Sequence, residues 1–318
     1  MIDKLSLRNF RRVVDNPAYL RGAANELGTD IDAAIHRRFY DKTGVQVMDE
    51  DWDVLLLLDG CRYDMFAERV DLPGRLERRT SAASQSWEFM TEHFVGRTLH
   101  DTVYVSANPY TSRLDDDVFH AVVELFDEGW DETHETVMPE TVVEATLAAD
   151  ERFPDKRLLV HFMQPHIPFI GERGRALQHT GLAHQDLDVT DGDGETRYPV
   201  WGNLRYGFTD LGRAAVWDAY CENLDVVVPY VRDLLARVPG KTVVTSDHGN
   251  LVGERLWPIP VRGYGHPAGV RAPSLVDVPW QVVPDDRRRD VRVDTPVARD
   301  RTADETVTDR LSKLGYTD

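Results

Sequence analysis

The chain has 318 residues, 42% of them hydrophobic, and 55 acidic side chains stand against 37 basic ones for a net charge of −18. That balance permits a sizeable buried core and excludes global disorder. An acid excess of this size excludes electrostatic binding to nucleic acid or to an anionic membrane surface.

Most of the basic residues are Arg, and acids crowd 115–117 and 186–195, a pattern that suggests the solvated surface of a halophilic protein. Cys61 and Cys221 are too few for a disulfide framework or a cysteine-built zinc site and read as small buried hydrophobes. No run approaches the roughly 20 apolar residues a membrane helix needs, so no membrane span is expected. The segment Met1–Phe10 lacks the apolar stretch and small-residue cleavage site of a signal peptide, and a cytoplasmic location is expected.

Residues 1–49 read as a helical N-terminal extension. Asn16-Pro17 is a turn signal, and Thr29–Tyr40 places apolar residues at helical spacing behind a Thr29 or Asp30 cap. Val54–Leu58, between Asp53 and Asp59-Gly60, reads as a strand covered on both faces in a parallel sheet. A helix over Tyr63–Arg69, a short strand over Leu76–Ser81 and a helix over Ser86–Phe94 follow. The β-branched and aromatic run Thr102–Ser106 predicts a strand ending in the turn residues Asn108-Pro109. Helices are predicted over Asp117–Asp127 and Pro139–Ala149, then a buried strand over Arg157–Met163. Residues 171–210, rich in Gly, Asp, His and Thr, read as a long loop or lid. Ala214–Val238 predicts a long helix ended by Pro239-Gly240. The strand Lys241–Ser246 then opens into Asp247-His248-Gly249. Residues 284–304 read as an exposed linker before a short helix over Val307–Leu314.

Strands alternating with helices predict a three-layer α/β/α sandwich with a mostly parallel central sheet. The expected organisation is one domain over 1–318, with its core at about 50–283 and the charged linker and helix at 284–318. The sequence shows no internal repeat and no Gly-rich nucleotide loop.

In open parallel sheets, ligands bind beyond the carboxyl ends of the strands. Three strands here end in metal-competent residues: Asp59, His166 shortly after Met163, and Asp247-His248. A single Asp in such a place is ordinarily a turn residue or a helix cap. Three together weaken that reading, because their ends converge, and carboxylate with imidazole suits zinc, manganese or a similar divalent ion.

The segment Lys241–Gly249, with its Thr-Ser-Asp-His-Gly core, resembles the alkaline phosphatase/sulfatase superfamily, whose members carry Asp-His or Asp-Asn followed by Gly. Leu-Leu-Leu-Leu-Asp59-Gly-Cys-Arg62-Tyr-Asp64 resembles that family's first metal-binding strand, and His161-Phe-Met-Gln-Pro-His166-Ile-Pro-Phe its middle strand. Tyr264-Gly-His266-Pro-Ala-Gly, ahead of Val-Pro279-Trp, is similar to the segment carrying its late histidine. The tail Arg310-Leu-Ser-Lys-Leu-Gly-Tyr316 also resembles that of many sulfatase-like proteins. The resemblance spans roughly residues 50–283 plus the tail and implies an alkaline-phosphatase-like fold.

Carried over residue by residue, it implies that Asp59, Asp247 and His248 bind one divalent metal (Zn, Mn, Mg or Ca). It makes His266 a ligand of a second ion or a contact to the substrate's anionic group. His166 stands where relatives use a metal-binding Asp or a substrate-binding His. Where relatives with two full sites carry a further His, this chain has Ile170, which leaves a second ion short of a ligand. The family's nucleophile precedes a helix between Asp59 and the next strand, and the hydroxyl-rich segment Thr80–Glu88 occupies that place. Ser86 fits best, and Ser84 is the alternative unless it is an ordinary helix cap. The segment lacks the Cys-x-Pro-x-Arg pattern converted to formylglycine in many sulfatases, which favours phosphate over sulfate esters.

The implied activity is metal-dependent hydrolysis or transfer of phosphate esters through a serine nucleophile, on a small-molecule or glycan ester. The alternatives are a sulfuric ester hydrolase, or a catalytically degenerate metal-binding member that serves as an interaction protein. Arg62, just beyond Asp59, either assists substrate binding or forms a salt bridge.

Overall fold

The computed structural model of the chain describes residues 17–40, 43–178, 200–207, 211–299 and 301–316. Its frame is a seven-stranded sheet in the order β2-β11-β8-β1-β7-β3-β4. The strands are β1 (Val54–Leu58), β2 (Arg75–Thr80), β3 (Leu99–Ser106), β4 (Phe119–Glu124), β7 (Arg157–Phe162), β8 (Thr242–Thr245) and β11 (Asp277–Val283). Only β11 runs against its neighbours, pairing antiparallel with both β2 and β8. Two short hairpins lie outside the sheet: β5 (Trp130–Asp131) with β6 (Thr136–Val137), and β9 (Leu251–Arg255) with β10 (Arg262–Gly265).

Every residue of β1 is buried, as a strand covered on both faces requires. Parallel pairing sets Leu57 opposite His161 of β7 and Thr245 of β8. The three strands therefore end at one level, and the residues just beyond them face a common point. Helices flank the sheet. α2 (Tyr63–Arg69), α4 (Pro139–Arg152), α5 (Glu172–Gln178) and α7 (Arg213–Arg237) form one connected layer. α3 (Ser86–His93) and α9 (Asp304–Lys313) meet in another through the 3-10 turn Pro109–Arg113. The remaining helices are α1 (Pro17–Phe39), α6 (Val200–Tyr206) and the single turn α8 (Pro273–Val276).

The α/β sandwich expected from the alternation is thus the observed architecture, and Cys61 and Cys221 are both buried and free. Four local expectations change. The helix expected from Thr29 begins at Pro17, and Thr29 lies inside it, its hydroxyl bonded to Asn25 O (2.8 Å) rather than capping. The helix expected over Asp117–Asp127 is strand β4, because Phe119–Glu124 pairs with β3 and leaves only half-buried positions along most of its length. The loop expected over 171–210 contains α5 and α6, while 179–199 and 208–210 lie outside the described residues. The segment 284–299 has no regular element, yet its arginines fasten it to the body. Arg288 bonds Asp53 and Asp51, and Arg299 pairs with Glu124, both side chains almost fully buried.

Burial also creates a pH-sensitive point in α3. His93 is fully buried against Phe89 and Phe94, and neither ring nitrogen has a hydrogen-bond partner. Desolvation, aided by Arg97, pushes its pKa down from 6.5 to about 4. The unfolded chain takes up this proton near pH 6.5 and the fold resists it until about 4. Its contribution to stability is therefore complete above pH 6.5 and falls by up to about 3 kcal/mol as the pH drops to 4. Denaturant unfolding of wild type and His93→Leu across that window should show the wild-type slope to be the steeper; equal slopes would place the effect elsewhere.

Candidate metal centre

Asp59 follows β1 directly, and its two oxygens have different fates. Oδ2 accepts from Asn108 Nδ2 (2.7 Å) and from the Tyr316 hydroxyl (2.9 Å), with Ser86 Oγ at 3.2 Å. Oδ1 is buried and has no partner. Asp247 repeats the division. Its Oδ1 accepts from the backbone N–H of Gly60 (3.1 Å) and of His248 (2.9 Å), and its Oδ2 is buried without a partner. Gly60 makes this possible by turning with φ +66°, a conformation that costs glycine nothing. Ser246 ties the two strand ends together, accepting from Cys61 N (2.8 Å) and reaching Leu58 O (2.6 Å).

A third buried orphan faces the same space. His161 Nε2 lies 3.3 Å from Asp59 Oδ2 and 3.9 Å from Asp247 Oδ2, while Nδ1 is 2.8 Å from the Tyr104 hydroxyl. When Nδ1 donates to Tyr104, Nε2 presents a lone pair. Ligand atoms of Asp59, His161 and Asp247 all lie within 4.8 Å of one another. Unpaired buried carboxylate oxygens are costly, and a divalent cation bonded at about 2 Å to each would satisfy them. His248 completes the ring: Nδ1 donates to Gly249 O (2.7 Å), which leaves Nε2 bare, 3.4 Å from Asp247 Oδ2 and 3.7 Å from Asp59 Oδ1. The residues present fit a divalent metal with mixed oxygen and nitrogen ligands.

Burial works against charge on Asp59, but the surrounding imidazoles of His161, His166 and His248 outweigh it and hold the carboxyl well below its usual range.

Ser86 opens α3, and its hydroxyl sits at the edge of this cluster. Oγ lies 3.2 Å from each of Asp59 Oδ2, His248 Nε2 and Tyr316 Oη, in a fully buried position. Ser84 is turned elsewhere: its hydroxyl meets Glu88 Oε2 (2.8 Å) and Pro267 O (3.1 Å) and accepts from Gly269 N (2.9 Å).

His166 and His266 form a second pair beside the first group, Nε2 to Nε2 at 2.9 Å. His166 Nδ1 donates to Ile167 O (2.8 Å). Desolvation first, then the neighbouring imidazoles, push the pKa of His266 down, and desolvation does the same for His166 against the pull of Asp59. Asn223 of α7 carries the loop beneath them: its Nδ2 donates to Pro165 O (3.0 Å) and His166 O (2.9 Å), and its Oδ1 accepts from Ile170 N (2.9 Å). Removing that buried amide in Asn223→Ala is expected to cost about 2–4 kcal/mol of stability, read by denaturant unfolding.

No protein-family model matches the chain, and no curated protein matches it. Three solved structures to which it is similar come from bacteria. Lipooligosaccharide phosphoethanolamine transferase A of Neisseria meningitidis, an integral membrane protein, is 11% identical over 72% of this chain and 46% of that one, with TM-score 0.46. The C-terminal periplasmic domain of phosphoethanolamine transferase EptC from Escherichia coli, solved in complex with Zn, is 12% identical over 77% and 76%, with TM-score 0.41. A protein in the alkaline phosphatase superfamily from Vibrio parahaemolyticus is 12% identical over 92% and 75%, with TM-score 0.38.

This chain spans less than half the length of the Neisseria membrane protein, and at 11–12% identity the site residues have to be read from its own geometry.

Of the residues singled out on the superfamily's pattern, Asp59, Asp247, His248 and Ser86 meet at one point, and His166 and His266 meet beside it. Ser84 does not join them, and Ile170 is buried, its N–H donating to Asn223 Oδ1. Arg62 points away from the centre. Buried over Trp217, it binds Asp64, Glu254 and Asn250 O, and so pins the loop after β1 to β9. His161, Tyr104, Asn108 and Tyr316 are additions that the sequence reading missed. For His161 there was a signal, an imidazole inside an otherwise apolar strand. Tyr316 arrives through the end of α9. Gly315 at φ +82° donates its N–H to Ser312 O, and Tyr316 N donates to Leu311 O, a Schellman cap that turns the tyrosine back into the fold. Among the described residues, no helix is long and apolar enough to cross a membrane.

Proposed function

We propose that the chain is a metal-dependent enzyme that transfers or hydrolyses phosphate esters, with Ser86 as the nucleophile. The observation that carries this reading is the buried Ser86 hydroxyl, 3.2 Å from both Asp59 Oδ2 and His248 Nε2, at the rim of three orphaned ligand atoms. Asp59, Asp247, His248 and His161 would hold the ion, which when bound supplies Lewis-acid polarisation of a phosphoryl oxygen.

The chain's own groups account for the rest. Ser86 Oγ attacks phosphorus in line as its proton passes to water, and the bond to the departing alkoxide, which takes up a proton from water, breaks as the seryl phosphate forms. His166 and His266 flank the developing charge on the equatorial oxygens, and the His266 Nε2–H, which donates to His166 Nε2 before substrate binds, would have to turn from it to reach them. The Tyr316 and Asn108 donors keep Asp59 oriented so that its free oxygen stays turned to the ion. Water or an acceptor alcohol then displaces Ser86, and that choice separates hydrolase from transferase. With only two imidazoles in the second pair, and Ile170 at the sequence position where two-ion members of the superfamily carry a further His, one ion is the expected complement.

Protein loaded with zinc or manganese and offered p-nitrophenyl phosphate and p-nitrophenyl sulfate tests the reading, with Ser86 phosphorylation read by mass spectrometry after acid quench. Phosphate turnover with a trapped phosphoserine supports it. Turnover of sulfate alone would sink it, and bound metal without turnover of either ester would favour the non-catalytic alternative.

A further inference from the structure

Ser86 Oγ is touched by a side chain from 230 residues further along the chain. The turn after α9 sends Tyr316 back into the fold. There its ring stacks on His166, with centroids 5.0 Å apart and planes 8° from parallel, and packs on Tyr110 at 4.8 Å. These contacts set the Tyr316 hydroxyl among Asp59 Oδ2 (2.9 Å), Ser86 Oγ (3.2 Å) and Asn108 Nδ2 (3.3 Å), three residues that are fully buried.

Tyr316 has one hydroxyl hydrogen, and its shortest contact, to Asp59 Oδ2, takes it. The two hydrogens of Asn108 Nδ2 go to the same Asp59 oxygen (2.7 Å) and to Tyr316 Oη. Oη therefore keeps a lone pair, and the Ser86 hydroxyl is the donor beside it. Ser86 has two other acceptors at 3.2 Å, Asp59 Oδ2 and His248 Nε2. The first already accepts two shorter hydrogen bonds. The second is a ligand atom in the metal-dependent reading, with its lone pair committed there. In the loaded site the Ser86 hydrogen is thus left with Tyr316 Oη. That bond turns the lone pairs of Oγ away from the tyrosine and toward the ligand atoms, and an attacking oxygen gains rate from being held in such an orientation.

We propose that Tyr316 is a positioning residue for the nucleophile, its hydroxyl holding the Ser86 hydroxyl in the rotamer that presents Oγ for attack. This role is separate from its bond to Asp59, which Asn108 holds at the shorter distance. It rests on the phosphate-ester reading for what Ser86 attacks, and the test separates the two. Tyr316→Phe removes the hydroxyl and keeps the ring on His166 and the backbone cap at Gly315. Crystal structures of zinc-loaded wild type and Tyr316→Phe read the Ser86 rotamer directly and need no turnover. Wild type is expected to hold one Ser86 rotamer with Oγ bonded to Tyr316 Oη, and the variant to show Ser86 turned to a second rotamer or divided between two. In parallel, kcat on p-nitrophenyl phosphate, measured at full zinc occupancy, should fall about 30- to 100-fold while KM stays within about threefold.

A displaced Ser86 together with the fall in kcat supports the role. A displaced Ser86 in a protein whose wild type turns over no ester also supports it, and overturns only the catalytic reading. An unmoved Ser86, or a wild-type Oγ out of hydrogen-bond reach of Tyr316 Oη, overturns the role even if p-nitrophenyl phosphate is hydrolysed. A variant kcat within about threefold of an active wild type once zinc is in excess overturns it too, because the hydroxyl would then act only through Asp59 and its hold on the metal. If the variant does not fold, the contact in the zinc-loaded wild type decides: its presence supports the role and its absence overturns it.

Discussion

Asp59→Asn is expected to weaken zinc or manganese binding by at least about a hundredfold and to abolish the thermal stabilisation that metal confers on the wild type. The reason lies in the division of labour between the carboxylate oxygens. Asn108 and Tyr316 already satisfy Oδ2, so the charge on the orphaned Oδ1 has no task in the fold other than to face a cation. Removing a partner that merely orients a ligand costs about 10–100-fold in affinity, and removing the ligand's charge costs more. For the wild type, free metal at a hundred times its Kd should add about 2.7 kcal/mol of stability. In Asp59→Asn that increment should vanish, while the metal-free variant should be less stable than metal-free wild type, because the imidazoles that hold the Asp59 carboxyl below its usual range lose the charge they stabilise. Calorimetric titration and thermal melts with and without chelator measure both effects. If the variant still gains the full increment, the ion binds elsewhere.

Ser86→Ala is expected to leave metal binding within a few-fold of wild type and to lower turnover of phosphate esters by three orders of magnitude or more, the scale seen when a covalent nucleophile is removed. The hydroxyl sits against Asp59 and His248 without being needed to satisfy either, since Asp59 Oδ2 has two shorter bonds and His248 is held through Nδ1. A purely structural Ser86 would instead show changed stability with turnover reduced only slightly. Ser84→Ala supplies the contrast. With its hydroxyl bound to Glu88, Pro267 O and Gly269 N, the loss should appear as about 1–2 kcal/mol of stability. Initial rates, metal stoichiometry and unfolding curves on the same preparations separate these outcomes.

What was readable in advance follows from where each residue sits. Asp59 and Asp247-His248 directly follow apolar runs of strand length, so local pattern placed them at strand ends, and parallel topology brings such ends to one edge. Ser86 could be ranked above Ser84 only on the resemblance of its surroundings. Hydroxyls two residues apart at a helix start have the same local chemistry, and only the packing of α3 decides which one turns inward. β4 was misread for a related reason. Phe119–Glu124 carries helix-compatible acids and apolar spacing, and its strand state comes from pairing with β3, a contact that local propensity does not contain.

The amino-acid sequence by itself determined the alternating architecture, the apolar strand β1 and the three strand ends that carry Asp59, His166 and Asp247. Periodicity and composition are local, and each of these features is written within a few residues. The tertiary structure alone decided that His161 faces the carboxylates, that Asn108 and Tyr316 restrain one oxygen of Asp59, and that Asp59 and Asp247 each keep one oxygen without a hydrogen-bond partner. Those partners stand 102, 49 and 257 residues from Asp59 along the chain, of which the last two separations end in hydrogen bonds. Such convergence depends on the register of parallel strands and on a helix cap at Gly315, and no local pattern encodes either.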